Sequence, residues 1–381
     1  MNKAGKYERL ISLDLFRGVT ICLMIVVGAS GNYAYTYRML DHAPWSGLTP
    51  TDLIFPSFLF IVGVAQSLSL RITKGDLSNQ VQKKQLLKIG RRTVILFLLG
   101  ILINWFPFCF RDESGSIRWL LPEQVRLMGV LQRIALAYGI SSLAILFLSL
   151  RQIVALAFSI LIFFVLLLHI GAVGDPYSVT GNLVARIDLS VLGAGHMYRE
   201  QGMPFDPEGL LSTLPAIVNV LGGYITGKYL MKQALEATRA LKLMIAGSAL
   251  LIAGYIWSYF DPVNKKLWTS SFTMITTGAD ILLFITVYYC VDVLRKPLPF
   301  QSFFICFGRN PILIYLFSEL LMKGLLFPAA GSGTTIYSWL YSHYFSEAGF
   351  YNGALLQAIC YMLLSWVLVW ILNKKQYYLK I

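Results

Sequence analysis

The chain has 381 residues, of which 56% are hydrophobic and only 13% charged, with a mean hydropathy of +0.64. Soluble domains carry roughly a quarter charged residues, so soluble enzymes, nucleic-acid binders and disordered scaffolds are excluded and an all-α polytopic membrane protein remains. The net charge of +13 then marks a membrane face, because basic residues gather on the cytoplasmic side.

Crossing the hydrocarbon core takes about 20 apolar residues. Ten such stretches are legible, near 11–30, 51–70, 93–108, 127–149, 152–172, 211–230, 243–259, 270–291, 304–321 and 353–373. The first has a basic flank like a signal peptide, but Asp14 and Arg17 interrupt its apolar run, which reads as a retained anchor. With the N-terminus inside, 20 of the 32 Lys and Arg residues fall on the cytoplasmic side and 9 on the other, with Arg17, Arg133 and Arg309 inside spans. That bias places both termini in the cytoplasm. The basic linker 71–92 reads as a cytoplasmic interfacial helix, and the outer loops are 31–50, 109–126, 173–210 and 322–352. The whole of 1–381 forms one membrane-embedded domain.

Ionisable groups inside a membrane cost a few kcal/mol each and need a reason. Asp14 and Arg17 are three apart, on one helical face, where they can pair. Either they anchor the helix end, or Arg17 lines a cavity and binds an anionic cofactor. Thr49, Pro50 and Asp52 read as N-cap, first-turn proline and capping carboxylate of the second helix. His42 lies just ahead, one of only four histidines. An imidazole at a cavity mouth can serve as general base or nucleophile, although a loop histidine is more often a plain surface residue. Asp52 could orient it, and Trp45 lies between them.

Gln132 and Arg133 fall inside the outer half of the fourth span, where an arginine needs a partner or a wet cavity. Asp206 and Glu208 precede the sixth helix, and its positive N-terminus alone could account for them. The loop Pro262–Ser271 carries Asn264, Lys265 and Lys266 beside Trp268, which is either a sugar-contacting edge or an interfacial anchor. Arg309 and Asn310 sit in the inner half of the ninth span. The small residues around Gly222 and Gly223 suit close helix packing and a possible homodimer. The five cysteines have no metal spacing, and no phosphate loop, zinc helix or nucleophile elbow is present.

These motifs, in this order, resemble the catalytic membrane domain of the heparan-α-glucosaminide N-acetyltransferase family of transmembrane acyltransferases. The resemblance rests on SLDLFRG at Ser12, HAPWSGLTPTDLIFP at His42, GVLQRIALAY at Gly129, DPEGLLSTLPA at Asp206, NKKLWTSSF at Asn264 and FGRNPILIY at Phe307. It implies transfer of an acetyl group from cytoplasmic acetyl-CoA to an amino sugar of the glucosamine type across the membrane, without a metal. The family's active-site histidine falls on His42 and its following aspartate on Asp52. Relatives usually carry an asparagine where this chain has Gly28, with Asn32 one helical turn on. On this reading Asp14, Arg17, Arg133, Arg309 and Asn310 bind the donor. Trp45, Gln132, Asp206, Glu208, Asn264, Lys265 and Trp268 bind the acceptor, while Gln132, Arg133 or Asn264 stabilises the oxyanion. His42 acts as base or forms an acetyl-histidine. The rival readings are a secondary transporter of a sugar or anionic solute and an O-acyltransferase of envelope polysaccharide. The lack of an organellar targeting signal leans toward a bacterial inner membrane.

Overall fold

The computed structural model describes residues 10–70, 79–112, 115–231, 237–328 and 334–379. The helices, in chain order, are α1 (Ile11–Gly28), α2 (Ile54–Ser69), α3 (Asn79–Trp105), α4 (Val130–Phe147), α5 (Leu150–Ile170), α6 (Leu183–Leu192) and α7 (Thr213–Leu230). They continue with α8 (Ala237–Trp257), α9 (Ser270–Tyr288), α10 (Gln301–Arg309), α11 (Pro311–Leu325), α12 (Ile336–Leu340) and α13 (Phe350–Lys374). Two short antiparallel hairpins ornament the loops, β1 (Cys109–Arg111) with β2 (Ile117–Trp119), and β3 (Arg199–Glu200) with β4 (Met203–Pro204).

Two helices begin at side-chain caps that the sequence offers. Ser149 opens α5, its N–H donating to Gln152 Oε1 at 2.8 Å, and Asn182 Oδ1 accepts from Ala185 N at 2.7 Å to open α6. Such reciprocal bonds satisfy donors that a helix start leaves unpaired.

All ten apolar stretches contain helix, but fewer than ten helices meet the length and apolarity needed to cross a membrane. Among the described residues seven do: α1, Pro50–Ser69, α4, α5, α8, Ser270–Val293 and α13. The stretch at 93–108 is the far half of α3, whose near half is basic, and α7 is diluted by Asn219, two adjacent glycines and Lys228. The ninth stretch is broken into the pair α10–α11, bent by 86°, which counts as an eighth crossing if the pair is one span. Pro311 has no N–H to continue the first helix and instead starts the second. The linker reading also changes: 71–78 lies outside the described residues, and from Asn79 the basic run is already α3, not a separate surface helix.

The centre of the bundle is the crossing of α2 with α7. Gly63 and Gly223 let the two backbones meet, since a Cβ on Gly63 would overlap the Val220 carbonyl and one on Gly223 the Phe60 carbonyl. Gly222 is likewise covered, by Thr277 of α9. The glycine pair is therefore used within the chain and gives the homodimer expectation no support. The same crossing brings three loop segments, 41–52, 206–212 and 261–269, together at one end of the bundle.

Candidate active site

The segment Thr49–Leu53 forms the turn that leads into α2, as the capping pattern implies. Asp52 Oδ2 accepts from Thr49 N and Thr49 Oγ1, both at 3.0 Å, and from Ala43 N at 3.2 Å. Its other oxygen, Oδ1, lies 2.7 Å from His42 Nδ1 and 3.3 Å from Lys265 Nζ. One buried carboxylate thus caps a helix and holds an imidazole. Lys265 Nζ is itself 2.8 Å from His42 Nδ1. The side chain of Asp52 is 1% exposed, that of Lys265 16% and that of His42 47%, so only the imidazole opens freely outward. Burial pushes the Lys265 ammonium below its ordinary value, against the pull of Asp52.

A second charged group stands beside this one. Arg126 donates to Asp206 through Nε at 2.9 Å and through Nη2 at 2.6 Å, and its Nη2 also meets Glu208 Oε2 at 2.5 Å. Burial alone would raise the Glu208 carboxyl, but Arg126 and Arg133 outweigh it and hold it below its usual range. The two carboxylates therefore serve Arg126, 80 residues away in the chain, beyond any service to the α7 N-terminus. Arg133 is fully buried. Its Nη2 donates to Ser212 Oγ and to Gly209 O, while Nε and Nη1 have no partner among the described residues. Its guanidinium lies 4.7 Å from the Trp268 ring centroid and 5.9 Å from that of Phe55. Trp268 is 1% exposed and donates to Asn219 Oδ1 at 3.0 Å, so its ring forms part of the interior wall and presents no edge to the surface. Asn264 is buried in the loop that leads to Trp268, and Gln132 is buried against Gly100 of α3; each has an amide nitrogen with no hydrogen-bond partner among the described residues. Trp45 donates to Tyr177 O at 2.7 Å and packs edge-on against Phe205, anchoring the His42 loop. Gly28 ends α1, and Asn32 uses its Oδ1 to accept from Ala34 N at 3.0 Å.

Between the helices lies a cavity of about 240 Å³, whose lining extends from Arg17 and Gln66, toward the far ends of α1 and α2, to Met24 and Phe58 in the halves nearer His42. Arg17, Arg92 and Arg309 line it, with Gln66 and Tyr138, and its walls are apolar, including Met24, Phe58 and Ile134. Arg17 is 3.6 Å from Asp14 and donates to Gly308 O at 3.3 Å. Arg309 donates to Asn373 Oδ1 at 3.0 Å and keeps a buried, unpartnered Nε. Arg92 lies 4.6 Å over the Tyr138 ring, its Nε also unpartnered. Asn310 ties the C-terminal segment to the α10–α11 bend through Tyr377 O and Leu379 N. The sequence reading misses Arg92, which it absorbs into the basic linker. Its signal is its place as the last charge before an apolar run. Arg133, Asp206, Glu208 and Asn264 thus gather with the loops that hold His42 and Lys265, Gln132 faces α3, and Asp14, Arg17, Arg309 and Asn310 gather at the cavity. Among the described residues no group of His, Cys, Asp and Glu could hold a metal ion.

Comparison with known proteins identifies the family. The family model "Heparan-alpha-glucosaminide N-acetyltransferase, catalytic" matches residues 9–257, which include His42, Asp52, Arg92, Arg133 and Asp206. The human heparan-alpha-glucosaminide N-acetyltransferase is 31% identical over 364 residues, covering 82% of this chain and 53% of that protein. The mouse protein of the same name is 29% identical over 369 residues, covering 82% of this chain and 54% of its own length. The chain spans about half the length of these curated relatives. Because the family model covers well over half of it, the chain belongs to the heparan-alpha-glucosaminide N-acetyltransferase catalytic family.

Proposed function

We propose that this chain is a transmembrane acetyltransferase that moves an acetyl group from acetyl-CoA to the amine of a glucosamine-type sugar, with His42 as general base. The observation that carries the reading is the pairing of His42 with the buried Asp52 carboxylate at one end of the bundle, with an arginine-lined cavity extending toward the other. The names of the relatives supply the reaction class; the donor, the base and the sidedness are our reading.

The cavity fits an anionic, long-tailed donor. Three guanidiniums with unpartnered N–H groups on Arg92 and Arg309 suit phosphates, and the apolar walls suit the pantetheine arm. Acetyl-CoA supplies the activated acyl group as a thioester. Arg17, Arg92 and Arg309 would hold its phosphates on the cytoplasmic side, which also sets both termini there. At the outer end Asp52 takes a hydrogen bond from His42 Nδ1, leaving Nε2 to accept the proton of the acceptor ammonium. The freed amine attacks the thioester carbonyl, the C–N bond forms and the C–S bond breaks, and the leaving thiolate takes up the proton that the nitrogen loses on becoming an amide. Proton transfer of this kind contributes about 10²–10⁴-fold. The unpartnered N–H groups of Arg133 and Asn264 are the candidate donors to the developing oxyanion.

The test uses detergent-purified protein with acetyl-CoA and glucosamine, following N-acetylglucosamine by mass. Product from the wild type and its loss in a folded His42→Ala variant is the expected result. Equal product from both would overturn the histidine mechanism. Product with neutral sugars at an equal rate would favour the O-acyltransferase reading. No product with either, but uptake of acceptor into proteoliposomes, would favour the transporter.

A further inference from the structure

The His42 ring poses a problem that a histidine–aspartate pair alone does not. Two groups of opposite charge approach the same ring nitrogen: Asp52 Oδ1 at 2.7 Å and Lys265 Nζ at 2.8 Å from Nδ1. A ring nitrogen has one site, which either donates its proton or accepts one. With the proton on Nδ1, the ring donates to Asp52 and Nε2 is left as the base, with Lys265 Nζ 3.4 Å from it. With the proton on Nε2, Nδ1 accepts from the Lys265 ammonium and the ring has no base to offer an incoming amine. Asp52 thus favours the proton on Nδ1, whereas the ammonium of Lys265, within reach of both ring nitrogens, opposes a proton on the nitrogen nearest to it. Resting on the reading of His42 as base, we propose that Lys265 is a positioning residue that competes with Asp52 for His42 Nδ1 and so sets the pH range over which the imidazole works.

The surroundings support a role for this lysine beyond contact with a sugar. Its side chain is only 16% exposed, and the Asp52 carboxylate 3.3 Å away gives its ammonium somewhere to go when Nδ1 carries a proton. The charged groups around the ring come from four segments. Asp41, in the same loop, accepts from the His42 backbone N–H at 2.8 Å. Asp52 stands at the head of α2. Glu208, before α7, acts on Lys265 electrostatically. Lys266 is bound to Glu200 at 2.6 Å and is thereby removed from the ring. Asp52 and Lys265 are the two that reach a ring nitrogen. Nearby charge repels a second proton on the ring if positive and favours it if negative. Loss of the ammonium leaves Asp52 unopposed, the imidazolium is favoured, and the base is lost at a higher pH than before.

The experiment labels histidine with ¹³C and follows the His42 ring signal against pH in detergent, assigned by its absence in His42→Gln. The kcat/KM profile for glucosamine is recorded beside it. In Lys265→Met the His42 midpoint and the acid limb of the profile should both rise by about one to two pH units. In Lys265→Arg, which keeps the charge, both should rise by less. A midpoint that stays put in a folded Lys265→Met, with only KM for the sugar raised, would overturn the proposal and leave Lys265 as an acceptor contact. A moved midpoint with full turnover in His42→Gln would instead overturn the reading of His42 as base. The two failures are distinguishable because the ring signal needs no turnover.

Discussion

The two ends of the bundle treat charge differently. At the outer end carboxylates and cations come in sets: Asp52 with His42 and Lys265, Asp206 and Glu208 with Arg126, Glu200 with Lys266. At the cavity Arg92 and Arg309 have no ion pair among the described residues, and only Arg17 has a carboxylate, Asp14, nearby. Paired charges fix geometry, because each partner restricts the other and the low-dielectric surroundings strengthen the bond. Unmatched guanidiniums leave a positive potential that an anion can satisfy. The His42 end holds its charges in matched sets, whereas the cavity leaves two cations unmatched among the described residues.

The outer end breaks most severely through Asp52. Asp52→Asn keeps the shape but loses the negative charge that faces both His42 and Lys265, and it replaces one acceptor of loop N–H groups with a donor. Turnover should fall by about 10²-fold or more, measured as N-acetylglucosamine formed by folded protein. Turnover within threefold of wild type would show that the imidazole needs no carboxylate. Asp206→Ala attacks the neighbouring set. It strips one of the two carboxylates from Arg126, which keeps Glu208, and loss of a hydrogen-bond partner of a charged group costs about 1.5–3 kcal/mol. The expected result is a lowered unfolding midpoint in detergent, and an unchanged midpoint would count against a structural role for the pair.

The cavity end should respond in affinity instead of geometry. Arg92→Gln removes one cation from the proposed phosphate site. A hydrogen bond to a charged group is worth about 1.5–3 kcal/mol, so KM for acetyl-CoA should rise about tenfold while KM for glucosamine stays put. A loss confined to kcat would place Arg92 outside donor binding and erase the contrast between the two ends.

Much of this contrast was legible in the sequence, for identifiable reasons. The His42 end was readable because its determinants are local: Thr49, Pro50 and Asp52 spell a helix start within four residues, and the carboxylate that caps it also holds the histidine ten positions back. The Arg126 set was not readable, because Asp206 and Glu208 lie far along the chain and a helix N-terminus explained them locally. Lys265 was visible as a charge out of place, but its contact with His42 spans 223 residues. Arg92 vanished into a run of basic residues whose individual directions depend on how α3 packs. The bend at Asn310 could have been read from Pro311, but the apolar run on both sides of it concealed the break.

The smallest predicted effect sharpens the idea that the outer end is organised by fixed charges. Asp188 of α6 is fully buried, and its Oδ1 accepts from Leu210 N and Leu211 N, each at 3.1 Å, organising the turn that leads to α7. Its Oδ2 has no hydrogen-bond partner among the described residues, and burial raises the carboxyl to about 6 despite the two backbone bonds. Here the folded state holds its proton to a higher pH than the unfolded chain does. Linkage then requires the contribution of Asp188 to stability to be complete below about pH 4 and to decline as the pH rises through about 6. Asp188→Asn keeps an oxygen for the two N–H groups and removes the titration, at the cost of placing an amide N–H where Oδ2 has no partner. Near neutral pH the two effects oppose, and the net change should stay within about 1 kcal/mol. The slope carries the test: between pH 4 and 6 the wild type should lose stability relative to Asp188→Asn, measured by thermal unfolding in detergent. Parallel curves would mean that Asp188 is ionised in the fold across that range, and that this corner of the outer end, like the Arg126 set, has a cation to answer it.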